Sequence, residues 1–465
     1  MKSVDRRRFL RNSLFATLSL SARAAIIGVP TSFLVSGKVH SQTAQINPKF
    51  TILAQSGQGE SFACNGPGSF PVNGNDPAQL IAHPNTGELG NAVLGNIQGR
   101  EFTARDFMES ADIRLGEQTV KASRVWSGLP QGFLNNLTGF WHQTGTNAHP
   151  EFPAVRRLMG ALRDDVIRNN EEELASAIAN DIGAGVGATT SKPILLDGGG
   201  TFKGAPLAVF RPSNIKQLFG GDSRINVNPD QFSALYTQTM DALYQNLKQN
   251  GTRAQRTFLD QHALSRNEAV AIGDDLGGLL ASVDGDDFES QLKTAVALFR
   301  LKVTPVVCVR HEFSRDNHQD TTLEDEATRT LASLNALANY WNTLVDNGLS
   351  DQVNFATLDV FGRTPHRSTR NGGRDHFNQM TLGLAHGSDF KGGMIGGLQA
   401  IMQRGNERPV ATGINSQTGG SNNADIPSGS TLAAYGKTLM KAAGIDDERL
   451  EVRVPSGKVI TGSFT

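Results

Sequence analysis

From residue 50 onward, short continuous apolar runs alternate with longer segments of helical period. The runs at 50–54, 137–143, 194–197, 207–210, 303–309, 353–359 and 380–385 predict strands, and the periodic segments at 154–180, 230–248, 288–300, 323–346 and 430–443 predict helices. In the fourth helix Leu323, Ala327, Leu331, Leu334, Leu337, Trp341 and Leu344 form one stripe. Continuous apolar strands separated by such helices imply a mainly parallel central sheet with helices on both faces, the α/β class. Ligands in that architecture bind just past the carboxyl ends of the strands. Residues 56–101, crowded with Gly, Asn and Pro, and residues 404–430 read as long loops.

Charge changes the picture at the N-terminus. The chain of 465 residues carries 44 Lys+Arg against 45 Asp+Glu, yet residues 1–41 hold seven bases and the single acid Asp5. The remainder is mildly acidic, which argues against nucleic acid as a partner. Arg6-Arg7-Arg8-Phe9-Leu10 followed by the weakly hydrophobic stretch 14–35 has the form of a twin-arginine export signal, with the cleavage site open. The expected organisation is therefore a signal over 1–41, read by the twin-arginine export machinery, and one large α/β domain over 42–465 that resides in the periplasm or outside the cell. No uncharged run of 18 apolar residues follows residue 41, so the mature protein is expected not to span a membrane. Cys64 and Cys308 are the only two cysteines, and whether they pair is left open.

Several motifs fail on their spacing. Gly57-Gln58-Gly59 follows a strand, but Phe62 stands where a dinucleotide fingerprint needs its third glycine. Gly436-Lys437-Thr438 lacks the upstream glycine of a phosphate loop, Thr431 standing there, and its apolar stripe continues as a helix. The chain has no Gly-x-Ser-x-Gly elbow and no His-Glu-x-x-His pair.

Five of the ten histidines, His311, His318, His366, His376 and His386, fall within 76 residues. Asp316-Asn317-His318 follows one predicted strand. The next strand ends in Asp359-Val360-Phe361-Gly362-Arg363, and Gly373-Arg374-Asp375-His376 comes after a glycine-rich loop. If those strands are neighbours, the loops meet at one edge. Asp316, His318 and His376 are then candidate metal ligands, Asp359 a ligand or base, and Arg363 the group that steadies an anion. Oxygen and imidazole donors without a thiolate suit Zn, Mn, Fe, Mg or Ca. Each residue also fits a plain loop role, as a salt bridge or a backbone hydrogen bond.

The order of these motifs resembles the domain-of-unknown-function family 1501. It is carried by Asp316-Asn317-His318, Phe361-Gly362-Arg363-Thr364, Gly373-Arg374-Asp375-His376-Phe377 and Phe390-Lys391-Gly392-Gly393, with Phe140 to Pro150 similar to a loop after a central strand. The resemblance implies an alkaline-phosphatase-like three-layer sandwich with metal sites at the strand ends. It departs where Asp359-Val360 stands in place of the family's Ser-Glu, and where Ser56-Gly57-Gln58-Gly59-Glu60-Ser61 lacks an aspartate. A one-residue slip along a strand turns a side chain to the opposite face. Two functions follow: a metal-dependent hydrolase of small anionic phosphate or sulfate esters, or a non-catalytic relative that binds a partner in the cell envelope.

Overall fold

The computed structural model describes residues 47–84, 91–158, 172–219, 278–313, 316–403, 405–455 and 457–465. The proposed signal at 1–41 and the helix expected at 230–248 lie outside these residues. The chain forms two compact units, Val35–Arg211 with Asp287–Thr465, and a smaller one containing Pro212–Asp286. In the smaller unit Pro212–Phe219 is helical, and Lys216 donates to the carbonyls of Ala281 and Val283.

The larger unit is mixed α/β. Its sheet strands are β1 (Phe50–Ser56), β2 (Leu137–His142), β3 (Ile194–Leu195), β4 (Val306–Arg310), β5 (Val353–Asp359), β6 (Thr381–His386) and β7 (Gly393–Ile395). They pair in the order β7-β2-β6-β5-β1-β4-β3. All run in one direction except β6, which is antiparallel to both β5 and β2. The helices that pack on the sheet are α1 (Phe152–Leu158), α2 (Leu174–Ile182), α3 (Phe288–Arg300), α4 (Glu324–Asp346) and α5 (Thr431–Ala442).

Alternation along the strands assigns the layers. Leu53, Cys308 and Ala356 share a row in register and belong to one apolar cluster with Val155 of α1, Ile178 of α2 and Tyr435 of α5. The alternate positions face the other helices, with Phe50 stacked on Phe299 of α3 at 4.9 Å and Phe355 against Tyr340 of α4 at 5.9 Å. Helices therefore cover both faces, and the strands between them are buried along their length, as continuous apolar runs require.

Several expectations change. The helix expected over 154–180 is not continuous, because Glu173 is extended and α2 starts afresh after it. Residues 207–210 add only a single bridge from Val209 to Leu195. The segment 56–101 holds a hairpin, Val93–Ile97 with Arg100–Thr103, and the segment 404–430 holds Asn406–Ala411, paired with Leu398–Gln403. Cys64 and Cys308 are both free and buried, so no bridge joins them. Among the described residues no helix is long and apolar enough to cross a membrane.

Candidate metal centre

The loops that leave the parallel strands gather at one edge of the sheet. Gly57 and Gln58 follow β1, Asn147 and His149 follow β2, Asp316 and His318 follow β4, and Arg363 follows β5. Asp375 and His376 reach the same edge from the opposite sense, because they precede β6, whose entrance lies where the other strands exit. A two-residue ladder pairs Arg363 with His376 and Gly362 with Phe377. Glycine is required at 373, where a Cβ would stand 2.0 Å from the carbonyl oxygen of Asn317.

Donor atoms of His149, Asp316 and His376 all lie within 4.8 Å of one another. His318 joins them: its Nε2 is 2.9 Å from Nε2 of His376 and 3.3 Å from Oδ1 of Asp316. Three imidazoles are held through their other nitrogen. Nδ1 of His149 donates to the Gly57 carbonyl at 2.6 Å, Nδ1 of His376 to the Asn147 carbonyl at 2.5 Å, and Nδ1 of His318 to the Asp375 carboxylate at 3.0 Å. A carbonyl only accepts, so in His149 and His376 Nδ1 carries a proton, and the neutral ring then presents its Nε2 lone pair to the cluster. Nε2 of His149 is buried with no hydrogen-bond partner among the described residues. Phe361 stacks on the His376 ring at 4.2 Å and fixes its plane. Burial pushes the His376 pKa below its ordinary value, in the direction that favours the neutral ring.

Donors held in this way are what a divalent ion needs, since ligating imidazoles usually give their second N–H to a carbonyl or carboxylate. Three nitrogens and one carboxylate suit Zn or Fe, and disfavour Mg or Ca, which take oxygen donors. One side of the cluster is open, the side chain of Asp316 being 49% exposed and that of Asp375 46%.

Arg363 is fully buried beside the cluster. It donates to the Gln58 carbonyl and to the Arg374 carbonyl at 3.4 Å, and it lies 3.4 Å from both Asp316 Oδ1 and His318 Nε2. Burial draws its pKa down, against the opposing pull of Asp316.

Asp359 is not brought to this cluster. Its Oδ2 is 2.8 Å from His311 Nε2, both side chains are buried, and its Oδ1 has no partner among the described residues. Register pairs it with Ser56, and alternation puts it on the face of Phe355, toward α3 and α4. Glu60, also buried, lies close enough that desolvation and the Asp359 charge push its pKa well up. His366 and His386, the remaining histidines of the sequence cluster, are not among the convergent donors.

No family model matches the chain, and no curated protein is similar to it. His149 does not stand out in the sequence, because it lies in the loop 144–150 far along the chain from the 311–386 histidine cluster. What marks it is position, seven residues past the end of a fully buried strand.

Proposed function

We propose that this protein is an exported metal-dependent hydrolase of phosphate or sulfate esters, its ion held by His149, Asp316 and His376 with His318 beside them. The observation that carries the metal is the convergence of imidazole Nε2 atoms whose partner nitrogens are already committed to acceptors. Two neutral Nε2 lone pairs facing at 2.9 Å repel unless a proton or a cation lies between them.

A bound divalent ion supplies Lewis acidity and an activated water. The chain's own residues do the rest. Asp375 keeps the His318 ring aimed inward, and the Arg363 guanidinium adds positive charge that favours an anionic group at the open side. The carbonyls of Gln58 and Arg374 hold that guanidinium in place. The ester class and an alkaline-phosphatase-like arrangement of the layers are supported by the motif resemblance, and by a sheet whose loops meet at one edge. Export is supported by Arg6-Arg7-Arg8-Phe9-Leu10.

A second reading has its own support. His318 supplies a fourth protein donor, and four donors close a tetrahedral shell in the manner of structural sites, leaving a non-catalytic binding protein.

Metal analysis of the purified protein, with hydrolysis of an aryl phosphate and an aryl sulfate, tests both. About one equivalent of ion is expected, falling below about a tenth in His149→Ala and His376→Ala, with hydrolysis reduced by at least about 100-fold. Less than about a tenth of an equivalent in the wild type removes the metal. Full occupancy without hydrolysis of either ester selects the structural reading.

A further inference from the structure

The two ligand-bearing loops are joined by a pair of buried charges that touch no donor atom. Glu326, in the first turn of α4, and Arg374 are both 0% exposed, and Arg374 Nε is 2.6 Å from Glu326 Oε2 while Nη2 is 3.2 Å from Oε1. The remaining N–H groups of Arg374 go to carbonyls, of Thr364 and Pro365 at 3.0 Å each and of Ala82 at 2.6 Å. All five donors of the guanidinium are thereby used. From the other side Nδ2 of Asn317, the residue between Asp316 and His318, reaches Glu326 Oε2 at 3.3 Å. The main chain repeats the tie, since Arg374 N donates to Asn317 O at 3.2 Å and Gly373 N to His318 O at 3.0 Å.

The helix beneath is itself fixed to the loop. Asp320 accepts from the backbone N–H of Glu326 at 2.9 Å and so caps the start of α4 from within the segment that carries Asp316 and His318. One carboxylate at the head of the longest described helix thus meets a side chain from each ligand loop, each from a residue next to a ligand or to Asp375.

We propose that Glu326 and Arg374 are positioning residues of the metal centre, which set the separation between the 316–318 and 374–376 loops and so the affinity and geometry of the bound ion. This rests on the metal-centre reading above. Asp316 and His318 sit on a loop and His376 on a two-residue ladder at the end of one, and a ligand so placed that shifts by a fraction of an ångström loses bond energy that a rigid element would keep. A buried charge pair fits the task because removing one partner strands the other, uncompensated, in a buried site.

The test titrates Zn²⁺ against a competing chelator, and records the visible absorption of the Co²⁺-loaded protein, for wild type, Glu326→Gln and Asn317→Ala. Circular dichroism of each metal-free protein checks the fold. Glu326→Gln, if folded, is expected to bind Zn²⁺ about 10- to 100-fold more weakly with an altered Co²⁺ band, and Asn317→Ala about 3- to 10-fold more weakly. A role confined to holding the fold would lower the melting temperature and leave both the affinity and the Co²⁺ band unchanged. Folded Glu326→Gln with affinity within about 2-fold of wild type overturns the proposal. Should Glu326→Gln not fold, Asn317→Ala decides, and wild-type affinity there overturns it equally. Wild-type protein that binds neither ion overturns the metal centre and this inference together, and that outcome is visible in the wild-type titration alone.

Discussion

His386 shows what burial does to an imidazole that no ligand needs. Its ring lies stacked on Phe133 at 4.2 Å and edge-on to Trp341 at 5.3 Å, fully buried, with no partner for either nitrogen among the described residues. Desolvation pushes its pKa down to about 3, and that of the equally buried His142 to about 4. Both folded values lie below the unfolded one, so the unfolded chain binds more protons across this window. Stability is then full above about pH 6.5 and declines as pH falls toward 3. His386 alone accounts for about 2 kcal/mol lost between pH 7 and pH 5. Urea unfolding at the two pH values should show that His386→Phe has a pH 7 to pH 5 difference smaller than wild type by about this amount, whatever its packing cost. Equal differences in the two proteins would refute the assignment. In the sequence His386 and His376 look alike. Only tertiary contacts separate a ring stacked among aromatics from one whose Nδ1 finds a carbonyl.

Between β5 and β6 the ladder pairs only Phe355 with His386 and Ala356 with Ala385, and then the strands part. Tyr435 of α5 fills the gap, its hydroxyl 3.0 Å from the Thr357 carbonyl and 2.9 Å from that of Leu384. Gly383 makes room, since a Cβ there would stand 2.8 Å from the Tyr435 ring. Tyr435→Phe keeps the ring and removes the hydroxyl whose one hydrogen is shared between these two buried carbonyls, so it should destabilise by about 1–3 kcal/mol without lowering metal content. Chemical denaturation and metal analysis of that variant check both halves. At this scale the sequence was largely readable. Strands 353–359 and helix 288–300 coincide with their expected bounds because each is an uninterrupted apolar run or a clean amphipathic period. The hairpins at 93–103, 110–123 and 398–411 escaped because they are short, half exposed and polar on one side, so nothing in them rises above a loop. For the centre, the Asp316 and His318 loop was visible from its place after a strand. His149 meets Gly57 across 92 residues, and Asp359 meets His311 through a tertiary contact rather than a local one, so neither is visible in the local pattern.

Across the whole molecule, stability owes nothing to a disulfide. Burial pushes the Cys308 thiol up to about 12, and raises that of Cys64 as well, so neither thiol is poised to ionise. Reductant should therefore leave the melting temperature of the native protein unchanged within about 1 °C, and thiol reagents should label both cysteines only after unfolding. Labelling of the native protein, or a fall in melting temperature on reduction, would contradict the free, buried thiols. The edge on which the loops meet also reflects a single reversal. Because β6 runs against its neighbours, the chain before it arrives at the centre, and the chain after it emerges at the far side. There Ser388 and Asp389 sit beside Lys49 at the entrance to β1, at 2.7 and 2.6 Å. Changes of length are thus segregated by the strand: between 364 and 380 each tugs on a ligand, whereas at 387–389, directly after β6, the chain lies at the far end of the sheet from the centre.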